Sequence, residues 1–280
     1  MSNKTIGSLL LDSGKISEDQ AEEVYQQQIL DNSRFGDAAI KLGYVTEQDV
    51  KFAVSQQFDF SYLAPDDSSI DQCLISAFIT EGPQVEAFKQ LKSQLTFRWF
   101  EENKSLVVCS PVQGCGSSYI SANLSVLFAQ SGSKTLLVDA NFRHPSQHLC
   151  FRHKNQYGFS QLLAERLDLE AIEKIEGLKN LHVLFSGAIP PNPIELFEKS
   201  NFTREHEILK AHFDIIIYDA PPINTFTETQ LIASTVGGCL LVGKKETTRI
   251  NDLSIAKRKL ESANAVPVGV AVNQFKKKSR

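Results

Sequence analysis

The sequence predicts a doubly wound α/β domain with a mostly parallel sheet, preceded by a small all-α domain of helical hairpins. Runs of apolar and β-branched residues alternate with helical patterns after about residue 85, and a glycine-bearing turn follows the first run. The earlier part of the chain contains an internal repeat instead. Buried strands that alternate with helices favour a parallel sheet covered on both faces. Six runs have strand composition: residues 106–109, 135–138, 182–185, 215–218, 239–242 and 268–272.

The composition is that of a globular protein with a substantial core, and it excludes several classes of function. Of the 280 residues, 42% are apolar, and the net charge of −4 gives no general attraction for nucleic acid. The five cysteines form no CxxC pair and have no histidine at metal-ligand spacing, which argues against a zinc site or a disulfide framework. No apolar run reaches the ~18 residues of a spanning helix or resembles a signal peptide. We therefore expect a cytoplasmic protein without a nucleic-acid partner.

The internal repeat consists of two units of equal length, residues 5–28 and 34–57. Each unit has a short apolar helical pattern, then a glycine, then a second helical pattern that starts with a capping residue. The glycines, Gly14 and Gly43, suit the left-handed position that ends a helix. The repeat predicts two stacked helical hairpins.

The periodicity is lost after the second unit, and turn-forming residues cluster at 64–69. A helical pattern resumes at Val85, with Phe88, Leu91 and Leu95 on one side. These changes predict a helical domain at residues 1–60, a linker at 61–84 and the α/β domain at 85–280.

A phosphate-binding loop is predicted where the first strand of the α/β domain meets its first helix. A glycine-bearing turn at this position gathers backbone N–H groups around one point, where the helix dipole also favours an anion. The end of the turn matches the pattern GxxxxGK[ST], except that Ser117 stands in place of the lysine and Pro111 in place of the first glycine. The residues expected to hold phosphate are Gly114, Cys115, Gly116, Ser117 and Ser118.

Two carboxylates are predicted at the same edge of the sheet. Asp139 ends the second strand, with Asn141 and Arg143 just beyond it, and Asp219 ends the fourth. The carboxyl ends of parallel strands form the edge at which doubly wound sheets bind ligands. Each aspartate alone is more typical of a helix cap. Together with a phosphate loop, they predict a Mg²⁺ site completed by the hydroxyl of Ser118.

At this point residues 86–275 resemble the bacterial tyrosine kinases of exopolysaccharide export, which have a P-loop NTPase fold. The stretch EAFKQLK at 86–92 looks like their ExxRxxR self-association helix, LLVDANFR at 136–143 like Walker A′, and IIIYDAPP at 215–222 like Walker B. A further segment of the same family is similar to GAIPPNPIEL at 187–196. The helical front end is similar to one subgroup, the EpsG-type chain-length determinant kinases.

The resemblance implies an ATP- or ADP-binding protein that uses Mg²⁺ and regulates exopolysaccharide chain length, polymerisation or export. It also implies a membrane polysaccharide co-polymerase or chain-length determinant protein as partner, which would bring the chain to the inner membrane. The implied roles are catalysis for Asp139, Asp219 and Arg143, metal binding for Ser118, Asp139 and Asp219, a contact with the base for Asn273, and self-association for Glu86, Lys89 and Lys92.

Several positions depart from the family pattern. The lysine that would reach the β- and γ-phosphates is Ser117, and the second Walker A′ carboxylate is Asn141. Lysines replace both arginines of the self-association motif, and no tyrosine cluster ends the chain, because the last tyrosine is Tyr218. Two alternatives therefore stay open. One is a pseudokinase that acts as an interaction module, and the other is a ParA/MinD-like ATPase, which would be expected to have the P-loop lysine.

The N-terminal repeat resembles the N-terminal domain of type II secretion and pilus ATPases, in which paired motifs of this kind bind cyclic di-GMP. Thr5 stands where the first arginine is expected, and Lys15 where an aliphatic residue is expected. A helical docking module without a ligand is the alternative. The positions that the resemblance implies for cyclic di-GMP are Gly7, Leu10, Gly14, Gln28, Arg34, Gly36, Gly43 and Gln57.

Overall fold

The structure is a computed structural model that describes residues 5–58, 61–166 and 169–274. The helices are α1 (Ile6–Asp12), α2 (Glu18–Asp31), α3 (Phe35–Lys41), α4 (Glu47–Gln57), α5 (Ile75–Phe78), α6 (Pro83–Leu95), α7 (Ser117–Gln130), α8 (Gln147–Cys150), α9 (Phe159–Leu163), α10 (Pro193–Lys199), α11 (Phe202–His212), α12 (Glu228–Val236) and α13 (Ile250–Ser262). The strands are β1 (Ser105–Cys109), β2 (Thr135–Asp139), β3 (Glu173–Lys174), β4 (Leu181–Leu184), β5 (Ile215–Asp219), β6 (Gly238–Lys244) and β7 (Val266–Asn273).

The seven strands form one sheet in the order β3-β4-β2-β5-β1-β6-β7. Every neighbouring pair is parallel except β3 and β4, which are antiparallel. The predicted α/β class with a mostly parallel sheet is therefore confirmed, and a strand lies at each of the six predicted positions. The sequence does not reveal β3, because this strand has only two residues and both are exposed.

The central strands are buried on both faces, as their continuous apolar composition predicts. Successive side chains of a strand point to opposite faces of the sheet. In β5, Ile215 and Ile217 join the core beneath α6 and α7, whereas Ile216 and Tyr218 join the core beneath α11 and α12. The helices therefore cover both faces of the sheet, and the loops that follow the strands form its carboxyl edge.

Helices α1–α4 lie at the positions that the internal repeat predicts. Their apolar side chains form a cluster of their own around Leu10, Val24 and Ala39. Gly14 and Gly43 follow α1 and α3 with φ angles of 68° and 74°, the left-handed conformation that glycine adopts without strain.

The segment predicted as a linker, 61–84, is packed into the structure rather than extended. Leu63, Ile70, Leu74 and Ala77 are buried in the core of the α/β part. Turn-forming residues at 64–69 interrupt the segment, and its only helix before α6 is the four-residue α5, which explains why the sequence pattern suggests a linker.

Candidate functional site

The loop 110–116 joins β1 to α7 at the carboxyl edge of the sheet. Gly114 and Gly116 have φ angles of 84° and 88°, a conformation that residues with a Cβ rarely adopt. Gly116 is the N-cap of α7, and no side chain caps this helix. The N–H groups of Ser117 and Ser118 at this helix end therefore suit an anion.

The phosphate loop is anchored from two sides. The backbone N–H groups of Ile223 and Asn224, in the loop after β5, donate to the carbonyls of Ser110 (2.9 Å) and Pro111 (3.1 Å). The side-chain amide of Asn273 donates to the carbonyl of Cys115 at 3.1 Å. The structure thus brings Asn273, the predicted base contact, to the phosphate loop.

The serines at the start of α7 face the same edge. Ser117 is buried, and its carbonyl accepts a hydrogen bond from the hydroxyl of Ser121 (2.9 Å). The carbonyl of Ser118 accepts a hydrogen bond from the side-chain amide of Gln147 at 3.1 Å. Ser118 therefore lies beside the first turn of α8, which follows the Walker A′-like segment.

Asp139 and Asp219 are in register on the neighbouring strands β2 and β5, and both are fully buried. Asp139 already has backbone donors on both oxygens: Asn141 N at 3.3 Å on Oδ1, and Ser146 N and Gln147 N at 3.1 Å each on Oδ2. Burial and the facing charge of Asp219 raise the pKa of Asp139 well above its usual range. In this structure Asp139 caps the loop that leads into α8.

Asp219 has a different environment. Its Oδ2 accepts a hydrogen bond from Gln147 Nε2 at 2.7 Å, but its buried Oδ1 has no donor among the described residues. Burial raises the pKa of Asp219 to about 6, and the hydrogen bond from Gln147 together with the nearby Ser118 and Ser121 side chains partly opposes this shift. An unpartnered carboxylate oxygen beside the serine hydroxyl fits a Mg²⁺ ion whose other ligands are phosphate and water.

Arg143 is held by a residue that the sequence patterns do not reveal. Its Nε and Nη2 donate to Oε1 of Glu228, at 2.8 and 2.6 Å, and its guanidinium lies 5.0 Å from the centre of the Phe226 ring. Glu228 is 1% exposed. In the sequence it reads as an ordinary acidic residue in the first turn of a helix. Gln147 is also missed, because a neutral side chain in a four-residue helix carries no signal of charge or period.

The residues of the predicted self-association motif have partners within the chain. Lys89 Nζ donates to Glu86 Oε1 and to the carbonyl of Thr80, both at 2.8 Å. Lys92 Nζ donates to the hydroxyl of Ser131. Self-association through α6 stays a prediction.

In the part of the chain that the structure describes, no helix has the length and apolar character needed to cross a bilayer.

The predicted cyclic di-GMP positions have different surroundings from one another. Gly36 packs against α4, where an added Cβ would lie 2.7 Å from Val50 Cγ1, and a Cβ on Gly7 would lie 3.2 Å from the Phe35 ring. Leu10 is buried in the helical core, whereas Arg34 is exposed at the start of α3. The remaining predicted positions lie in turns or near helix ends and are exposed or half-buried: Gly14, Gln28, Gly43 and Gln57.

The Lys15 side chain, at an aliphatic position of the resembled motif, has a structural role. Its Nζ lies 3.1 Å from Asp49 and 3.0 Å from Asp66. These contacts connect the turn after α1 with α4 and with the segment 61–84.

No protein-family model matches the chain. Among curated proteins, it is 37% identical over 191 residues to the putative tyrosine-protein kinase CapB of Staphylococcus aureus, covering 68% of this chain and 84% of CapB. This chain belongs to the bacterial tyrosine-protein kinase family. It is 29% identical over 203 residues to the putative tyrosine-protein kinase EpsB of Ralstonia solanacearum, but spans only 27% of that longer protein.

The solved structures agree. The chimerical protein CapA2B2 superposes with a TM-score of 0.69 at 33% identity, covering 83% of this chain and all of that one. The septum site-determining protein MinD of Pyrococcus horikoshii, complexed with Mg-ADP, superposes with a TM-score of 0.50 at 21% identity, covering 59% of this chain and 68% of that one. The likeness to MinD is one of fold alone, whereas the kinases also share sequence.

Proposed function

We propose that this kinase-family chain binds ATP and ADP with Mg²⁺ at the carboxyl edge of its sheet and regulates exopolysaccharide chain length, polymerisation or export. The observation that carries the proposal is the buried, unpartnered Oδ1 of Asp219 beside the uncapped N-terminus of α7. A buried acceptor without a donor costs about 1–3 kcal/mol, so it indicates a missing partner. Bound Mg²⁺ and phosphate would supply partners to the oxygen and to the helix terminus together.

Each part of the site has a role in this proposal. Backbone N–H groups of Gly114–Ser118 hold phosphate oxygens, Ser118 and Asp219 hold Mg²⁺, and Asn273 supports the base. When bound, the metal would neutralise charge on the γ-phosphoryl group; that group passes from ATP to an incoming tyrosine hydroxyl, ADP leaves, and the hydroxyl proton goes to solvent. Glu228 fixes the guanidinium of Arg143, which we assign to the phosphate side of the site.

The second candidate function is that of a pseudokinase. Ser117 cannot supply the cation that lysine places between the β- and γ-phosphates. The amide oxygen of Asn141 accepts a hydrogen bond from His144 N at 3.1 Å, so this side chain supports a turn rather than acting as a base. Both observations favour a site that binds nucleotide but transfers phosphate slowly or not at all.

The partner that we propose is a membrane polysaccharide co-polymerase or chain-length determinant protein, which would hold this chain at the cytoplasmic face of the inner membrane. Support comes from the similarity to the chimerical protein CapA2B2 and to the putative tyrosine-protein kinase CapB.

The experiment uses the full chain and its Asp219→Asn variant. Calorimetry with ADP in Mg²⁺ should show binding to the unmodified chain and a loss of the Mg²⁺ effect in the variant. Incubation with Mg·ATP, followed by intact-mass measurement, then separates the two candidates. Added phosphate supports the kinase, and binding without added phosphate supports the pseudokinase. No binding at millimolar ADP would contradict both.

For helices α1–α4 we propose a domain that docks a protein partner. The packing contacts of Gly7 and Gly36 explain two of the glycines without a ligand. Cyclic di-GMP binding through the exposed Arg34 is the other candidate, since an arginine can pair with phosphate or stack on guanine. Chemical-shift changes of the full chain with excess cyclic di-GMP, and their loss in Arg34→Ala, would favour the ligand. An unchanged spectrum would favour docking.

A further inference from the structure

Gln147 connects the two halves of the candidate nucleotide site. It is fully buried in the first position of α8, and its Nε2 donates both to the carbonyl of Ser118 (3.1 Å) and to Oδ2 of Asp219 (2.7 Å). These two acceptors require that the NH₂ group faces them, which leaves the amide oxygen on the other side. One side chain therefore spans from the phosphate-loop helix to the Walker B-like strand.

The amide oxygen of Gln147 is a second buried acceptor without a partner. No donor among the described residues reaches Gln147 Oε1, and the same holds for Asp219 Oδ1. The two side chains are hydrogen-bonded to each other, so two unsatisfied oxygens belong to one small cluster. Such oxygens in a buried cluster indicate an occupant that brings donors or positive charge. A hydrated Mg²⁺ ion brings both.

The role of Asp139 follows from the same contacts. Its Oδ2 accepts the backbone N–H groups of Ser146 and Gln147, and its Oδ1 accepts that of Asn141. With three donors already in place, Asp139 fixes the start of α8 and so the position of the Gln147 side chain.

We propose that Gln147 is a positioning residue of the magnesium site: its NH₂ group orients the Asp219 carboxylate and holds it against the phosphate-loop helix. The inference rests on the proposed function, because it assigns Gln147 to the Mg²⁺ that accompanies the nucleotide. Outer residues of this kind typically change metal affinity about 10- to 100-fold when they are removed.

The test measures ADP affinity of the full chain by calorimetry, once in excess Mg²⁺ and once in EDTA. Gln147→Leu should reduce the enhancement of affinity by Mg²⁺ about 10-fold or more, with a much smaller change in EDTA. If that variant does not fold, Gln147→Met, which keeps the unbranched shape, carries the same expectation. Circular dichroism confirms folding in each case.

Gln130→Leu is the matched control. The Nε2 of Gln130 also donates to two carbonyls, those of Ser61 and Ser76 at 2.9 Å each, and its Oε1 is likewise buried and unpartnered. It lies at the far end of α7, away from the phosphate loop. A loss of stability without a change in the Mg²⁺ effect is expected for this variant.

The outcomes are distinguishable. A full Mg²⁺ effect in Gln147→Leu, or the same loss in Gln130→Leu, overturns the inference while the proposed function stands. No ADP binding by the unmodified chain overturns the proposed function, and the inference with it. A selective loss of the Mg²⁺ effect in Gln147→Leu supports both.

Discussion

Asp139 and Asp219 lie opposite each other on β2 and β5, both fully buried, yet only one of them has donors on both oxygens. Two buried carboxylates this close cannot both be ionised cheaply, because burial and mutual repulsion favour the neutral form. The arrangement therefore costs stability, and the Mg²⁺ ion that we propose would offset that cost.

Asp219→Asn should stabilise the ligand-free protein. The substitution removes a buried charge whose pKa is raised to about 6, while the amide can still accept the bond from Gln147. Each unit of pKa shift corresponds to about 1.4 kcal/mol, so we expect a gain of about 1–3 kcal/mol in the free energy of unfolding at neutral pH. Urea denaturation without nucleotide measures it. An unchanged or lower free energy would mean that burial of this charge is already compensated.

Arg143 and Glu228 should behave as a coupled pair. Arg143→Met leaves the buried Glu228 carboxylate without its cation, which should cost about 3–5 kcal/mol of unfolding free energy. Adding Glu228→Gln to that variant removes the unpaired charge and should restore most of the loss. A double-mutant cycle by urea denaturation gives the coupling energy. If the losses of the single variants Arg143→Met and Glu228→Gln add up to the loss of the double variant, the ion pair contributes little.

The limits of sequence reasoning follow from these residues. Strand positions were predictable because a continuous apolar run is typical of a parallel strand that is buried on both faces. Asp139 and Asp219 were predictable because each directly follows such a run. Glu228 and Gln147 were not predictable, because each acquires its role only from chain segments that are distant in sequence. The packed segment 61–84 was missed for the same reason: its burial depends on α7, against which α5 packs and whose Asn123 Oδ1 accepts the backbone N–H of Ser76.

Ser117→Lys should strengthen nucleotide binding. A cation near the γ-phosphate adds a charge-assisted contact worth on the order of 1–3 kcal/mol, or about 5- to 150-fold in affinity for ATP. Because Ser117 is buried at the start of α7, the variant also needs a check of its melting temperature. Calorimetry with Mg·ATP measures the change. Equal affinities in a folded variant would show that the loop does not cradle phosphate as proposed.

His206 should make the protein sensitive to acid. Its Nδ1 lies 2.9 Å from the hydroxyl of Tyr218, and its Nε2 lies 3.3 Å from the hydroxyl of Ser105. Burial lowers the pKa of His206 from 6.5 to about 4. The charge of Lys210 adds to this decrease, and that of Glu207 opposes it. Between those values the unfolded chain binds more protons than the folded one. Stability is therefore lost as the pH falls from about 6.5 to about 4, by up to about 3 kcal/mol.

The measurement for His206 is urea denaturation across this pH range. His206→Gln should flatten the dependence, because the glutamine does not titrate. Tyr218→Phe is the control, since it removes one hydrogen-bond partner but keeps the histidine. An equally steep dependence in His206→Gln would assign the effect to other groups.

Gly36 separates the two interpretations of the N-terminal helices. If its small size serves packing, Gly36→Ala should destabilise α1–α4 by about 1–3 kcal/mol, because the new methyl group would lie 2.7 Å from Val50 Cγ1. Val50→Ala alone leaves a cavity and should also destabilise. Together the two changes should recover part of the loss, since the smaller side chain makes room for the methyl group. Amide hydrogen exchange in α3 and α4 reports on this region alone. If Gly36→Ala leaves exchange unchanged but abolishes a response to cyclic di-GMP, the glycine serves the ligand rather than the packing.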